Sequence, residues 1–237
     1  MPMKIPGREI TTAAKPMVLV HGAYAGGWQL RPLHELLAAE GRQVYRLTLT
    51  GQGEREHHNS PAINLDTHIL DVVNVLKYEE LTDVILVGHS YGGMVITGVA
   101  HRVPERIGHL VYLDAALPED GETMLSTWPE EDRARLMQHV QEKGEGWKIP
   151  PTWPDWGKDR PHPFATFTQP IRLGNPAADK IPGTYVSAVE EGASDPERSI
   201  VEERAKARGY NYHEWVIGHS EMVDKPEKAA ALLLSIK

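Results

Sequence analysis

The chain contains no cysteine among its 237 residues. Disulfide frames, thiolate nucleophiles and cysteine-ligated metals are therefore excluded, although the absence by itself assigns no compartment. No apolar run approaches the ~18 residues that a membrane-crossing helix needs, so no membrane partner is expected. No basic run occurs either. Lys and Arg number 25 against 33 Asp and Glu, a formal net charge of −8, which disfavours nucleic acid and anionic membranes as partners. Internal repeats and low-complexity segments are also missing. Residues 1–16 carry early prolines and no apolar core, so they read as a loose leader rather than a signal peptide. A cytoplasmic location is the expectation. The rest of the composition, 41% apolar and 24% charged, is ordinary for a globular chain of a length that suits one α/β domain.

Against these absences stands one dense motif, Leu86-Val87-Gly88-His89-Ser90-Tyr91-Gly92-Gly93. Val84 to Val87 is a short β-branched, apolar run of the kind that becomes a strand buried on both faces. Gly88 to Gly92 then fits Gly-x-Ser-x-Gly, and Met94 to Val103 continues as a helix of small and apolar residues. A serine on a strained strand-to-helix turn exposes its hydroxyl beyond the sheet, and flanking glycines leave room for the close backbone approach. The helix N-terminus beside it favours developing negative charge. Ser90 is thus the candidate nucleophile.

A second glycine-rich stretch, His21-Gly22-Ala23-Tyr24-Ala25-Gly26-Gly27-Trp28, follows the predicted strand Met17 to Val20. Gly22 and Gly27 have P-loop spacing, but Trp28 stands where Lys belongs, so phosphate binding is not expected. An oxyanion hole takes one N–H from such a loop and one from the residue after the nucleophile, which assigns Ala23 and Tyr91. Gly51 and Gly53 start a dinucleotide-like pattern that Glu56 breaks; this stretch reads as a loop bordering the site. His57 and His58 lack metal-ligand spacing and read as solvated. No metal and no cofactor are expected.

Further predicted strands cover 44–48, 110–113, 184–187 and 210–217. Helices are predicted over 28–40, 66–81, 195–208 and 226–236. The alternation predicts an α/β fold with a mostly parallel, doubly wound sheet of about six strands. Residues 117–180 break the rhythm. They hold Trp128, Trp147, Trp153 and Trp156 among many prolines, with one helix expected over 130–142 and irregular chain elsewhere. The organisation expected is a core of 17–116 and 181–237 with 117–180 as a cap that shapes an apolar pocket.

A serine hydroxyl needs a base. His219 follows the last predicted strand and lies on the same carboxyl edge as Ser90, in the chain order Ser, acid, His of an α/β-hydrolase. His21 and His89 flank the site but belong to the loop and the elbow. The acid that orients His219 has three candidates. Asp114 ends the strand 110–113, Glu191 follows 184–187, and Asp195 lies further along; Asp114 is preferred.

The stretches Val20-His21-Gly22-Ala23, Gly26-Gly27-Trp28, Leu86 to Met94 and Gly218-His219-Ser220-Glu221-Met222 resemble the small α/β-hydrolases that include plant methylesterases and hydroxynitrile lyases and bacterial esterase and carbamate-hydrolase relatives. The resemblance spans nearly all of 17–237. It implies the α/β-hydrolase fold, a cap and Ser/His/acid catalysis without a cofactor, through an acyl-enzyme. The substrate implied is a small apolar or aromatic carboxylic ester, with carbamate or amide cleavage on the same machinery. The plant members are expected to carry an acid on the loop after Tyr185-Val186, where Glu191 stands, and a small residue where this chain has Asp114. The lyases carry Thr at the position of Ala23 and Lys at that of Ser220, so hydrolysis is preferred over lyase chemistry. A non-catalytic small-molecule receptor is the alternative from another class. The oligomeric state is open, a homodimer included.

Overall fold

The core strands are apolar at almost every position because helices cover both faces of the sheet. The computed structural model describes residues 14–151, 157–189 and 196–237. In chain order the elements are β1 (Met17–Val20), α1 (Arg31–Ala39), β2 (Val44–Leu47), α2 (Leu65–Tyr78), β3 (Val84–His89), α3 (Gly92–Arg102), β4 (Ile107–Leu113), α4 (Glu130–Lys143), β5 (Lys148–Ile149), β6 (His162–Pro163), α5 (Ala165–Thr168), β7 (Gly183–Val189), α6 (Pro196–Ala207), β8 (Asn211–Val216), α7 (Glu221–Asp224) and α8 (Glu227–Ser235).

Six strands form one sheet in the order β2-β1-β3-β4-β7-β8, and every neighbouring pair is parallel. A parallel sheet is stable only when both faces are buried, and alternate residues divide accordingly. Met17, Leu19, Ile85, Val87, Val111 and Leu113 pack with Leu33 and Leu37 of α1 and Ala229, Ala230 and Leu233 of α8. Val18, Val20, Val84, Leu86, Leu110 and Tyr112 pack with Ile69, Val72 and Leu76 of α2 and Val95 and Val99 of α3. The chain moves outward from β1 to β2 and then crosses back to β3. The loops after β1 and β3 therefore diverge and open a crevice at their carboxyl ends, the usual ligand position in such sheets.

Local signals set the helix ends. At the start of α2, Thr67 N–H donates to Asn64 Oδ1 at 3.0 Å and Asn64 N–H donates to Thr67 Oγ1 at 3.4 Å, a reciprocal cap. Gly41, at φ +76°, ends the first helix region, and Arg42 N–H donates back to Leu37 O at 3.1 Å.

The stretch between β4 and β7 is more ordered than its sequence predicts. Besides α4 it holds the short antiparallel pair β5 and β6 and the single turn α5. Two-residue strands have no periodicity to read. Val140, Ile149 and Phe167 from this stretch join the core on the α2/α3 face. The loop after β2 also differs: residues Gly53–His58 form a 3-10 helix, and none of them lines either cavity that Ser90 borders. His57 and His58 are exposed. Of the expected leader, residues 1–13 lie outside the described residues, while Pro16 O accepts from Ile85 N–H at 2.9 Å. Trp153, Trp156, Glu191 and Asp195 also lie outside them. No helix among the described residues is long and apolar enough to cross a membrane.

Candidate active site

Ser90 sits between the last residue of β3 and the first turn of α3 at φ +54°. A non-glycine residue in the left-handed region is strained and persists only where its surroundings hold it. Here Ser90 N–H donates to Leu113 O at 3.3 Å, and Ser90 O accepts from Gly93 N–H and Ala116 N–H, each at 3.0 Å. The motif glycines are required for space. A Cβ on Gly88 would lie 2.8 Å from the Gly92 carbonyl carbon, and one on Gly92 would lie 2.7 Å from Val20 O.

Asp114, directly after β4, also has positive φ, +45°. Its N–H donates to Val186 O at 2.7 Å, which ties it to the neighbouring strand β7. Its carboxylate is divided between two partners. Oδ1 accepts from Ala188 N–H at 2.9 Å, and Oδ2 lies 2.5 Å from His219 Nδ1. With a carboxylate as acceptor, Nδ1 is the donor and Nε2 is left available. The His219 carbonyl in turn accepts from His89 Nε2–H at 3.0 Å, with the two rings 4.6 Å apart. Burial, followed by the nearby His219, pushes the His89 pKa down to about 3, so His89 is a neutral strut at neutral pH.

Ser90, Asp114 and His219 line one cavity of about 280 Å³. Its apolar wall comes from Met94, Leu117, Met124, Trp128 and Val201. Its polar wall holds Arg198 and the pair Glu122 and Arg204. Arg204 grips Glu122 with two donors, at 2.8 and 2.7 Å, and donates to Leu117 O at 3.0 Å. Burial alone would raise the Glu122 pKa; the Arg204 guanidinium outweighs it and leaves the pKa below the ordinary value. Ser90 and His219 also border a second cavity of about 110 Å³ with Gly22, Ala23 and Tyr24. The structure thus places Ala23 beside Ser90, while Tyr91 follows it in the chain. Neither backbone N–H is used in a hydrogen bond among the described residues.

Three more histidines surround this loop, all fully buried. His21 Nδ1–H donates to Gly22 O at 2.7 Å, and its Nε2 accepts from Leu49 N–H at 3.1 Å. The peptide that carries the Ala23 N–H is therefore held by its own carbonyl. His68 Nε2–H donates to Thr50 O at 2.9 Å, so its Nδ1 accepts from the Tyr91 hydroxyl at 3.0 Å. His162 Nδ1 accepts from Tyr24 N–H at 3.3 Å. Desolvation pushes the His21 and His68 pKa values down to about 4 and that of His162 well below its ordinary value. Sequence reasoning finds His21 but not His68 or His162. One reads as a polar interruption of an amphipathic helix, and the other lies in a stretch without periodicity.

A family model described as the alpha/beta hydrolase family matches residues 17–232. A carbendazim hydrolyzing esterase from Nocardioides sp. (strain SG-4G) is 35% identical over 240 residues, covering 92% of this chain and 98% of the relative. A pheophorbidase from Raphanus sativus is 27% identical over 257 residues and 92% of each chain. Among solved structures, an extracellular alpha/beta-hydrolase from a Paenibacillus species superposes with a TM-score of 0.80 at 22% identity, over 93% of this chain and 98% of the other. At that identity the likeness concerns the fold.

Proposed function

The chain belongs to the alpha/beta hydrolase family and is a carboxylesterase-type hydrolase, and from that premise we propose that Ser90 is its nucleophile, His219 its general base and Asp114 the acid of the set. The observation that carries this reading is the 2.5 Å contact of His219 Nδ1 with Asp114 Oδ2 in the cavity that Ser90 lines. A hydrogen bond to Nδ1 fixes the tautomer whose Nε2 accepts a proton, and the carboxylate stabilises the imidazolium that results.

In the proposed reaction Ser90 Oγ attacks the ester carbonyl while His219 takes its proton. The tetrahedral oxyanion is held by the N–H groups of Ala23 and Tyr91, which point charge-complementary donors at the developing negative oxygen. His219 then protonates the leaving alcohol. A water, deprotonated by His219, resolves the acyl-enzyme and frees the acid product. Residues 117–180 act as the cap, with Leu117, Met124 and Trp128 lining the cavity. A volume of about 280 Å³ and those side chains suit a compact apolar or aromatic ester. The name of the Nocardioides relative favours a carbamate ester of an aromatic heterocycle within that class. The lyase alternative draws no support from Ala23 and Ser220, which supply no positive charge for a cyanide leaving group.

The test is turnover of p-nitrophenyl acetate with mass analysis of the quenched enzyme. Ser90→Ala is expected to lower kcat by about 10⁵-fold or more, and the wild type is expected to carry a 42 Da acetyl adduct, a mass set by the reagent, on Ser90 (about one per chain). Turnover that survives Ser90→Ala would overturn the assignment. A wild type that turns over no p-nitrophenyl ester, aryl ester or carbamate would favour the receptor reading.

A further inference from the structure

The two donors assigned above lie on separate loops, and a third segment, from the stretch between β4 and β7, reaches both. We propose that His162 is a positioning residue of the oxyanion hole, holding the loop that carries the Ala23 N–H through Tyr24 and bracing Tyr91, which carries the second donor. The inference rests on the serine-hydrolase reading.

Tyr24 is the residue after Ala23, and its backbone is left-handed at φ +65°. Such a conformation needs outside restraint, and residues 160 and 162 supply it on both flanking peptides. Tyr24 N–H donates to His162 Nδ1 at 3.3 Å, and Tyr24 O accepts from Arg160 N–H at 2.9 Å. The restraining segment is itself anchored, since Pro161 O accepts from Asn59 Nδ2 at 2.8 Å and Gln52 Nε2 at 3.3 Å. On its other side the imidazole meets Tyr91 edge to face, with centroids 4.8 Å apart and planes at 72°. Phe167 completes the packing at 5.1 Å from His162 and 5.5 Å from Tyr91.

Packing alone does not explain a histidine here. Because Nδ1 accepts, the proton resides on Nε2, and Nε2 has no hydrogen-bond partner among the described residues. A buried unpaired donor is costly and calls for a reason. A phenyl ring would make the same aromatic contacts without that donor. What it would lack is the acceptor at Nδ1. Burial keeps the ring neutral, so the acceptor is present at neutral pH.

The experiment compares His162→Phe, which keeps a ring and loses the acceptor, with the near-isosteric pair His162→Asn and His162→Leu. Asn Oδ1 stands close to where Nδ1 stood; Leu has no acceptor. Steady-state hydrolysis of p-nitrophenyl acetate is measured per titrated active site, with thermal midpoints alongside. His162→Phe and His162→Leu are expected to lose roughly ten- to hundredfold in kcat, a fraction of the cost of deleting an oxyanion donor, with KM within about threefold. His162→Asn is expected to recover kcat to within about fivefold of wild type. Affinity for a trifluoromethyl ketone, which forms a tetrahedral adduct, should fall in parallel with kcat, while affinity for acetate should not. Equal kcat for the Asn and Leu variants, or wild-type kcat with only a lower melting point in both acceptor-free variants, overturns the proposal. Should His162→Phe not fold, the Asn and Leu pair decides. Activity that survives Ser90→Ala removes both this inference and the reading beneath it; loss in Ser90→Ala with unchanged His162 variants removes only this inference.

Discussion

On one side of Ser90 lie Asp114 and His219, partly open to solvent and joined by a short charge-assisted contact. On the other lie His21, His68, His162 and Tyr91, none of them with solvent contact. Both sides use imidazole, and the surroundings decide what it does. Where water and a carboxylate reach the ring, it is suited to exchange protons. Where desolvation holds it neutral, it is a rigid unit with one donor and one acceptor, and it fixes backbone that must not move. The open side is proposed to carry the chemistry, and the dry side to hold the geometry in which that chemistry occurs.

The largest effect expected at this boundary comes from the acid. Asp114→Asn keeps the size of the side chain but reverses the hydrogen bond that selects the His219 tautomer, so kcat/KM is expected to fall by about 10³- to 10⁴-fold. Glu191→Gln, the competing assignment, is expected to change it by less than about threefold, the ordinary scale of a substitution that touches no reacting group. Both are read in the same p-nitrophenyl ester assay. The reverse pattern would move the acid to the loop after β7 and leave Asp114 as an anchor between β4 and β7.

Next in size is an acid response of the buried imidazoles. His21 and His68 have folded-state pKa values of about 4, and His89 one of about 3, against an ordinary value of 6.5. Between those limits the unfolded chain binds the extra protons, so stability rises with pH there and is lost as pH falls from 6.5 towards 4. Three such groups correspond to roughly 3–4 kcal/mol per pH unit near pH 5, taking about 1.4 kcal/mol for each proton. Urea midpoints measured from pH 7 to pH 4.5 should drop steeply below pH 6. A flat profile would mean that these rings are wetter or better paired in the charged form than their burial indicates.

The same contrast explains what was legible in the sequence. The sheet could be read because β1, β3 and β4 are continuous apolar runs with glycine or polar residues at their carboxyl ends. The places of Ser90 and Asp114 could be read because each follows such a strand; that of His219 could be read because it follows the last strand, β8, although that strand is polar and mostly exposed. Asp114 could be preferred as the residue that meets His219 but not decided, since three carboxylates follow strands or nearby loops; in the structure its Oδ2 meets His219 Nδ1, and the register of β7 brings Ala188 N–H onto its Oδ1. The dry side was the least visible. His68 breaks the apolar stripe of α2 for a partner 23 residues away. His162 meets Tyr24 across 138 residues in a strand too short to announce itself.

The smallest effect tests whether the dry side works through paired polar groups or through packing. Tyr91→Phe keeps the ring against His162 and Phe167 and removes only the hydroxyl that donates to His68 Nδ1. The orphaned acceptor should cost about 1–2 kcal/mol, a fall of about 2–8 °C in Tm for a chain of this size. His68→Leu strips the other partner and should cost more, because it also orphans Thr50 O. If the pair acts as one hydrogen-bonded unit, the double variant will be less destabilised than the sum of the two, since replacing both partners removes the unpaired groups that each single change creates. Strict additivity would instead assign the stability of this region to aromatic packing, and the hydrogen bonds would then serve orientation alone.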